Sequence, residues 1–117
     1  MSQSPLLDAR KTARAAKHQQ DEALRALHER ALVLVSDRVR AASVMARARS
    51  VIAKWENAHT CSPFYVEEWR RILADPADGI RRHVLLADAP NGVALMHNTP
   101  FGFLLRERHD RLVSGAK

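Results

Sequence analysis

The sequence predicts an all-α protein: a long N-terminal helical arm, or helical hairpin, followed by a compact bundle of three or four short helices. Three observations predict it. Between Leu6 and Ser62 there is no glycine and no proline, and the stretch is rich in Ala, Leu, Arg and Val. All six aromatic residues lie at or after Trp55, and all four glycines lie after position 78, so core bulk and turn punctuation both belong to the second half. Apolar residues in the first half recur at heptad spacing, the pattern of a helix with one buried edge.

The heptad runs through Leu24, Ala31, Arg38, Met45 and Ile52, with a partner series three residues later at Leu27, Leu34, Ala41, Ala48 and Trp55. Arg38 is its one misfit. As a single straight helix, residues 6–61 would span about 84 Å at 1.5 Å per residue. A compact domain of this length has a radius of gyration of about 13 Å, so the arm must fold back or pair with another chain. Gln20-Asp21 and Ser36-Asp37 are the candidate breaks, because Asp and Ser cap helix N-termini. The favoured division is a helix over 6–18 and a second over 21–57. In domain terms, 1–20 is a helical or partly frayed segment, 21–58 a long amphipathic basic helix, 59–113 the bundle and 114–117 a disordered tail.

In the bundle, Ser62-Pro63 is an N-cap followed by proline at the first helical position. Tyr65, Trp69, Ile72 and Leu73 then recur at helical spacing. Asp75-Pro76 ends that helix, and Ile80, Val84 and Leu85 give the next one an apolar edge. Ala89-Pro90-Asn91-Gly92 is a turn. Val93 to His97 is too short an apolar run to assign. Thr99-Pro100 opens a last helix whose buried face is Phe101, Leu104, Leu105 and Leu112.

Composition narrows the functional classes. Hydrophobic residues make up 46% of the 117, against 27% charged, which places the chain among globular rather than disordered sequences. The longest aliphatic stretch, Ala31 to Val35, is far too short to cross a bilayer, and no signal-peptide pattern is evident. Cys61 is the single cysteine; it excludes an intramolecular disulfide and fits a reducing compartment, the cytoplasm. Residues 1–60 carry eleven basic and six acidic side chains, whereas 61–117 carry eight and seven. The net charge of +6 therefore resides mainly in the arm. An anionic partner is one explanation; a composition biased toward Arg and Ala is the other.

Three features carry functional expectations. Arg38, Arg40, Arg47, Arg49 and Lys54 crowd one segment with only Asp37 and Glu56 as nearby acids, which fits contact with the phosphates of duplex DNA. Aromatic residues for stacking single strands are missing from that segment. The helix predicted at 63–74, the turn Asp75 to Gly79 and the start of a second helix resemble a helix-turn-helix, in which Arg81, Arg82 and His83 would meet base edges. A plain helical hairpin would look the same. The heptad stripe, with Leu24, Leu27, Leu34, Met45 and Ile52, is either the interface of a homodimer or partner helix, or the face that packs on the aromatic half of the same chain.

Enzymatic patterns are missing from the sequence: no Walker loop, no G-x-S-x-G, no H-E-x-x-H and no glycine-rich dinucleotide turn. His59-Thr60-Cys61 holds two metal-ligand types, but a structural zinc site needs four ligands and no second cysteine exists. The expectation is a non-enzymatic accessory or regulatory protein that binds nucleic acid, with a protein-interaction module as the rival. Neither a cofactor nor a metal is expected.

Overall fold

The computed structural model describes residues 5–106, and every regular element among them is a helix. Helix α1 spans Pro5–Val35, α2 Ala41–Ala58, α3 Pro63–Ala74, α4 Pro76–Ile80 and α5 Gly92–His97. Helix α4 runs on into a π-helical turn at Arg81–Leu85. A last helical turn occupies 103–106. Leu112 and the expected tail at 114–117 lie outside the described residues.

The arm is a helical hairpin, and its break falls at the second of the two expected sites. Helix α1 passes through Gln20-Asp21 without interruption, so the boundary expected between 18 and 21 is corrected. At the real break, the Ser36 hydroxyl donates to the Leu32 carbonyl at 2.7 Å, competing with the helical ladder. Asp37 Oδ1 accepts from the backbone N–H of Val39 at 2.8 Å and of Arg40 at 3.3 Å. These bonds turn the chain and launch α2. Arg38 sits in this turn, which is why the heptad misfits there.

Helix α2 stops at His59, whose backbone is left-handed (φ 54°) and whose N–H bonds the Trp55 carbonyl. Helix α3 begins as the sequence requires: Ser62 Oγ accepts from the Phe64 N–H at 3.2 Å, with Pro63 in the first turn. Only Asp75 separates α3 from α4, so the five-residue turn expected at Asp75 to Gly79 is corrected. Gly79 lies within α4, where a Cβ would stand 2.3 Å from the Ile72 carbonyl oxygen. The missing side chain is what lets α4 press on the backbone of α3. The π turn closes with the Leu86 N–H on the Arg81 carbonyl at 3.0 Å, and Val84 and Leu85 both point inward from it.

The C-terminal half of α1 packs against α2, α4, the π turn and α5, while α3 bridges α2 and α4. Leu27, Leu34, Met45 and Ile52 are buried in this core and Leu24 packs half-buried against it. The stripe expected as a partner interface is therefore the internal seam of this chain, corrected by the fold-back at 36–40.

At the centre lies a polar group. His28 is fully buried, stacked on Trp69 (ring centroids 5.9 Å apart) and edge-on to Phe101 (6.2 Å). Its Nδ1 faces the Leu24 carbonyl at 2.7 Å and its Nε2 faces Thr99 Oγ1 at 2.7 Å. The Trp69 indole N–H donates to the Asn98 carbonyl at 2.6 Å, and the Asn98 amide donates to the Ala94 carbonyl at 2.8 Å. Thr99 Oγ1 also accepts from the Phe101 N–H at 3.1 Å, but it caps a turn: the last helix starts only at 103, and Leu105, expected in its buried face, is exposed, which corrects the expected helix start. The loop at 98–101 is thus held on α1 and α3 by satisfied hydrogen bonds.

Candidate nucleic-acid interface

Helix α2 buries Val44, Met45, Ala48 and Ile52. Arg40, Ser43, Arg47, Ser50 and Lys54 follow at steps of three and four along a face turned away from them. Two adjoining grooves open on this face. One, of about 490 Å³, is bordered by Arg47, Ser50, Lys54 and Arg106, with Trp55, Thr99 and Phe103 in its wall. The other, of about 240 Å³, is bordered by Arg30, Arg40, Ser43 and Arg47, again with Phe103. Among the described residues, neither groove is lined by an acidic side chain.

Arg47 and Phe103 form the ridge shared by both grooves. The Arg47 guanidinium lies 4.3 Å from the Phe103 ring centroid, a cation–π contact that fixes one end of the side chain. Arg30, on α1, has its Nε buried without a hydrogen-bond partner among the described residues. A buried donor left in this state costs free energy. From Arg40 to Lys54 the stripe spans about 21 Å. It can meet several phosphates of a duplex, whose backbone carries a charge about every 1.7 Å of axis.

The fold divides the eight basic residues read from the sequence. Arg40, Arg47 and Lys54 share the grooved face. Arg38 is exposed in the turn before α2. Arg49 lies on the other flank of α2, in a groove shared with Arg70, Ile52 and Leu73. There Arg70 makes two 2.8 Å bonds to the Glu56 carboxylate. Those bonds hold Glu56 below the ordinary carboxylate value and raise Arg70 above its own. Arg81, Arg82 and His83 are exposed in the π turn. That turn follows five residues of helix, so they do not occupy a helix start, and Arg82 pairs with Asp78 at 3.0 Å. The element that carries them packs on α1, α4 and α5.

Sequence reasoning missed Arg30, Ser43, Ser50 and Arg106. The hydroxyls were legible as members of the 40-43-47-50-54 spacing. Arg30 and Arg106 reach the face only because α1 and the last turn pack beside α2.

Elsewhere, Cys61 is half-buried against the core beside Trp55, Glu56, His59 and Glu67. Among the described residues no three His, Cys, Asp or Glu side chains gather where they could hold a metal ion. No described helix is long and apolar enough to cross a membrane. Comparison with family models, with curated proteins and with solved structures finds no match.

Proposed function

We propose that the protein is a non-enzymatic accessory or regulatory factor that binds nucleic acid through backbone phosphates along the exposed face of α2. The observation that carries this is the pair of grooves meeting at Arg47. Arginine and lysine from α1, α2 and the turn at 103–106 border them, and no described acidic residue lines them. A solvated helix face of ordinary composition intermixes both signs. Among the described residues this one lines its grooves with cations and interleaves them with hydroxyls, as phosphate contact favours. The lone cysteine fits a reducing, cytoplasmic setting.

The test is anisotropy with a mixed-sequence duplex across a salt series. Affinity should fall steeply as salt rises. The variant Arg40→Gln with Arg47→Gln and Lys54→Gln should weaken binding to all sequences alike and flatten the log–log salt slope by about 2.7, at 0.9 per lost phosphate contact. Arg81→Ala with Arg82→Ala reports separately on sequence preference. Absence of binding at low salt would remove the proposal.

A further inference from the structure

The first fifteen described side chains of α1, residues 6–20, are all exposed, although the helix is continuous from Pro5–Val35. No residue of this half belongs to the hydrophobic core among the described residues, and it is about 22 Å long at 1.5 Å per residue. It carries Arg10, Lys11, Arg14 and Lys17 against one acid, Asp8. At 100° per residue the four cations fall within a single arc of about 120°, joined by His18. The other side presents Ala9, Thr12, Ala13, Ala16 and Gln19, which are small or neutral, together with Asp8.

This charge pattern works against the helix that bears it. Arg10 and Arg14 are like charges at i, i+4, and Arg14 and Lys17 at i, i+3, spacings at which they repel. A bound polyanion relieves this repulsion. Propagation from the anchored half of α1 keeps the arm helical, since lengthening an existing helix avoids the cost of nucleation.

We propose that residues 6–20 are a second nucleic-acid contact, a cationic rod that enters the major groove of duplex DNA. This rests on the nucleic-acid reading of the molecule and names its substrate class. The B-form major groove, about 12 Å wide, admits a helix, and the small residues opposite the cations keep this one slender. The A-form major groove of RNA is too narrow and deep. Single strands would need stacking surfaces, and residues 6–20 hold no aromatic side chain. A membrane-surface helix needs a bulky apolar face opposite its cations; here that face is mainly alanine, while Leu6 borders the cationic arc and Leu7 lies within it.

Two full-length variants test this. Arg10→Gln with Arg14→Gln and Lys17→Gln removes charge but keeps helix formers. Ala13→Pro keeps every charge but breaks the rod. Both should melt with the wild-type core transition, because no residue of 6–20 belongs to the core cluster among the described residues. The triple variant should bind duplex DNA about tenfold more weakly at moderate salt, with a slope flatter by about 2.7. Ala13→Pro should lose affinity for duplex DNA but not for single strands, and wild type should prefer duplex DNA over duplex RNA.

If both variants bind duplex like wild type while the Arg40, Arg47 and Lys54 variant does not, the arm proposal falls and the α2 interface stands. If the reverse holds, the arm stands alone. Two further results would overturn it: retention on phosphatidylserine vesicles without retention on duplex DNA, or an Ala13→Pro effect confined to self-association in sedimentation.

Discussion

His28 shows how one side chain ties the molecule together. A carbonyl can only accept, so Nδ1 must carry the proton that bonds Leu24, and Nε2 is left to accept from the Thr99 hydroxyl. Thr99 Oγ1 in turn accepts from Phe101. With a neutral imidazole the Thr99 hydroxyl proton has an acceptor in Nε2; a proton placed there would deprive it of that acceptor. Burial lowers the pKa of His28 from its ordinary 6.5, outweighing the opposing bond to Leu24. The folded state therefore resists protonation more than the unfolded chain does. Stability from this site is full above about pH 6.5 and is lost as pH falls toward the lowered folded value. Urea midpoints should accordingly drop between pH 7.5 and pH 5.5, above the range where carboxylates titrate. Equal midpoints at the two values would show that the buried ring does not control stability. Nothing in the sequence marked His28. Thr99 lies 71 positions away and meets it only in the folded chain, and a histidine inside a leucine- and alanine-rich helix gives no local sign of burial.

At the scale of elements, caps were legible and close approaches were not. Ser62-Pro63 caps α3 as expected, whereas Ser36-Asp37 breaks the arm without capping α2: Ser36 bonds back into α1 and Asp37 closes the turn, and the residue at the α2 N-cap is Arg40, with no side-chain cap bond. Asp21 offered the same chemistry but does not break α1; its carboxylate instead meets His97 Nε2 at 2.8 Å, across from α5. Tertiary packing decided between two equivalent signals. Gly79 was read as a turn residue for the same reason: sequence shows that glycine is present, not what backbone lies against it. The consequence is measurable. In an exposed helix, Gly→Ala gains about 1 kcal/mol. At Gly79 the added Cβ would stand 2.3 Å from the Ile72 carbonyl oxygen and 2.9 Å from its carbonyl carbon and Cα, all backbone that no rotamer change can move. Gly79→Ala should therefore destabilise the fold by about 1–3 kcal/mol, the usual range for overpacking, as read from chemical denaturation. A gain in stability would mean that α3 and α4 do not cross this closely.

At the scale of the whole molecule, the heptad carries the main lesson. Its period was plain in the sequence, but period alone cannot say whether the facing helix comes from the same chain. The turn at 36–40 settles it here. The radius of gyration is 16.9 Å and the longest extent 59 Å, well below the roughly 84 Å of an unbroken helix, because the turn at 36–40 lays α2 back on α1. Leu34 is 7% exposed at that seam. A glutamate in its place would act on folding, not on assembly. Losing the leucine contacts costs about 2–5 kcal/mol, and a buried carboxylate with no partner adds to that. Total stabilities of small domains are about 5–15 kcal/mol. Leu34→Glu should therefore melt far below wild type or fail to fold, with loss of the cooperative transition in circular dichroism. Were it instead to keep its melting curve and shift only in sedimentation, Leu34 would have to face a second chain, and the seam between α1 and α2 would be misassigned.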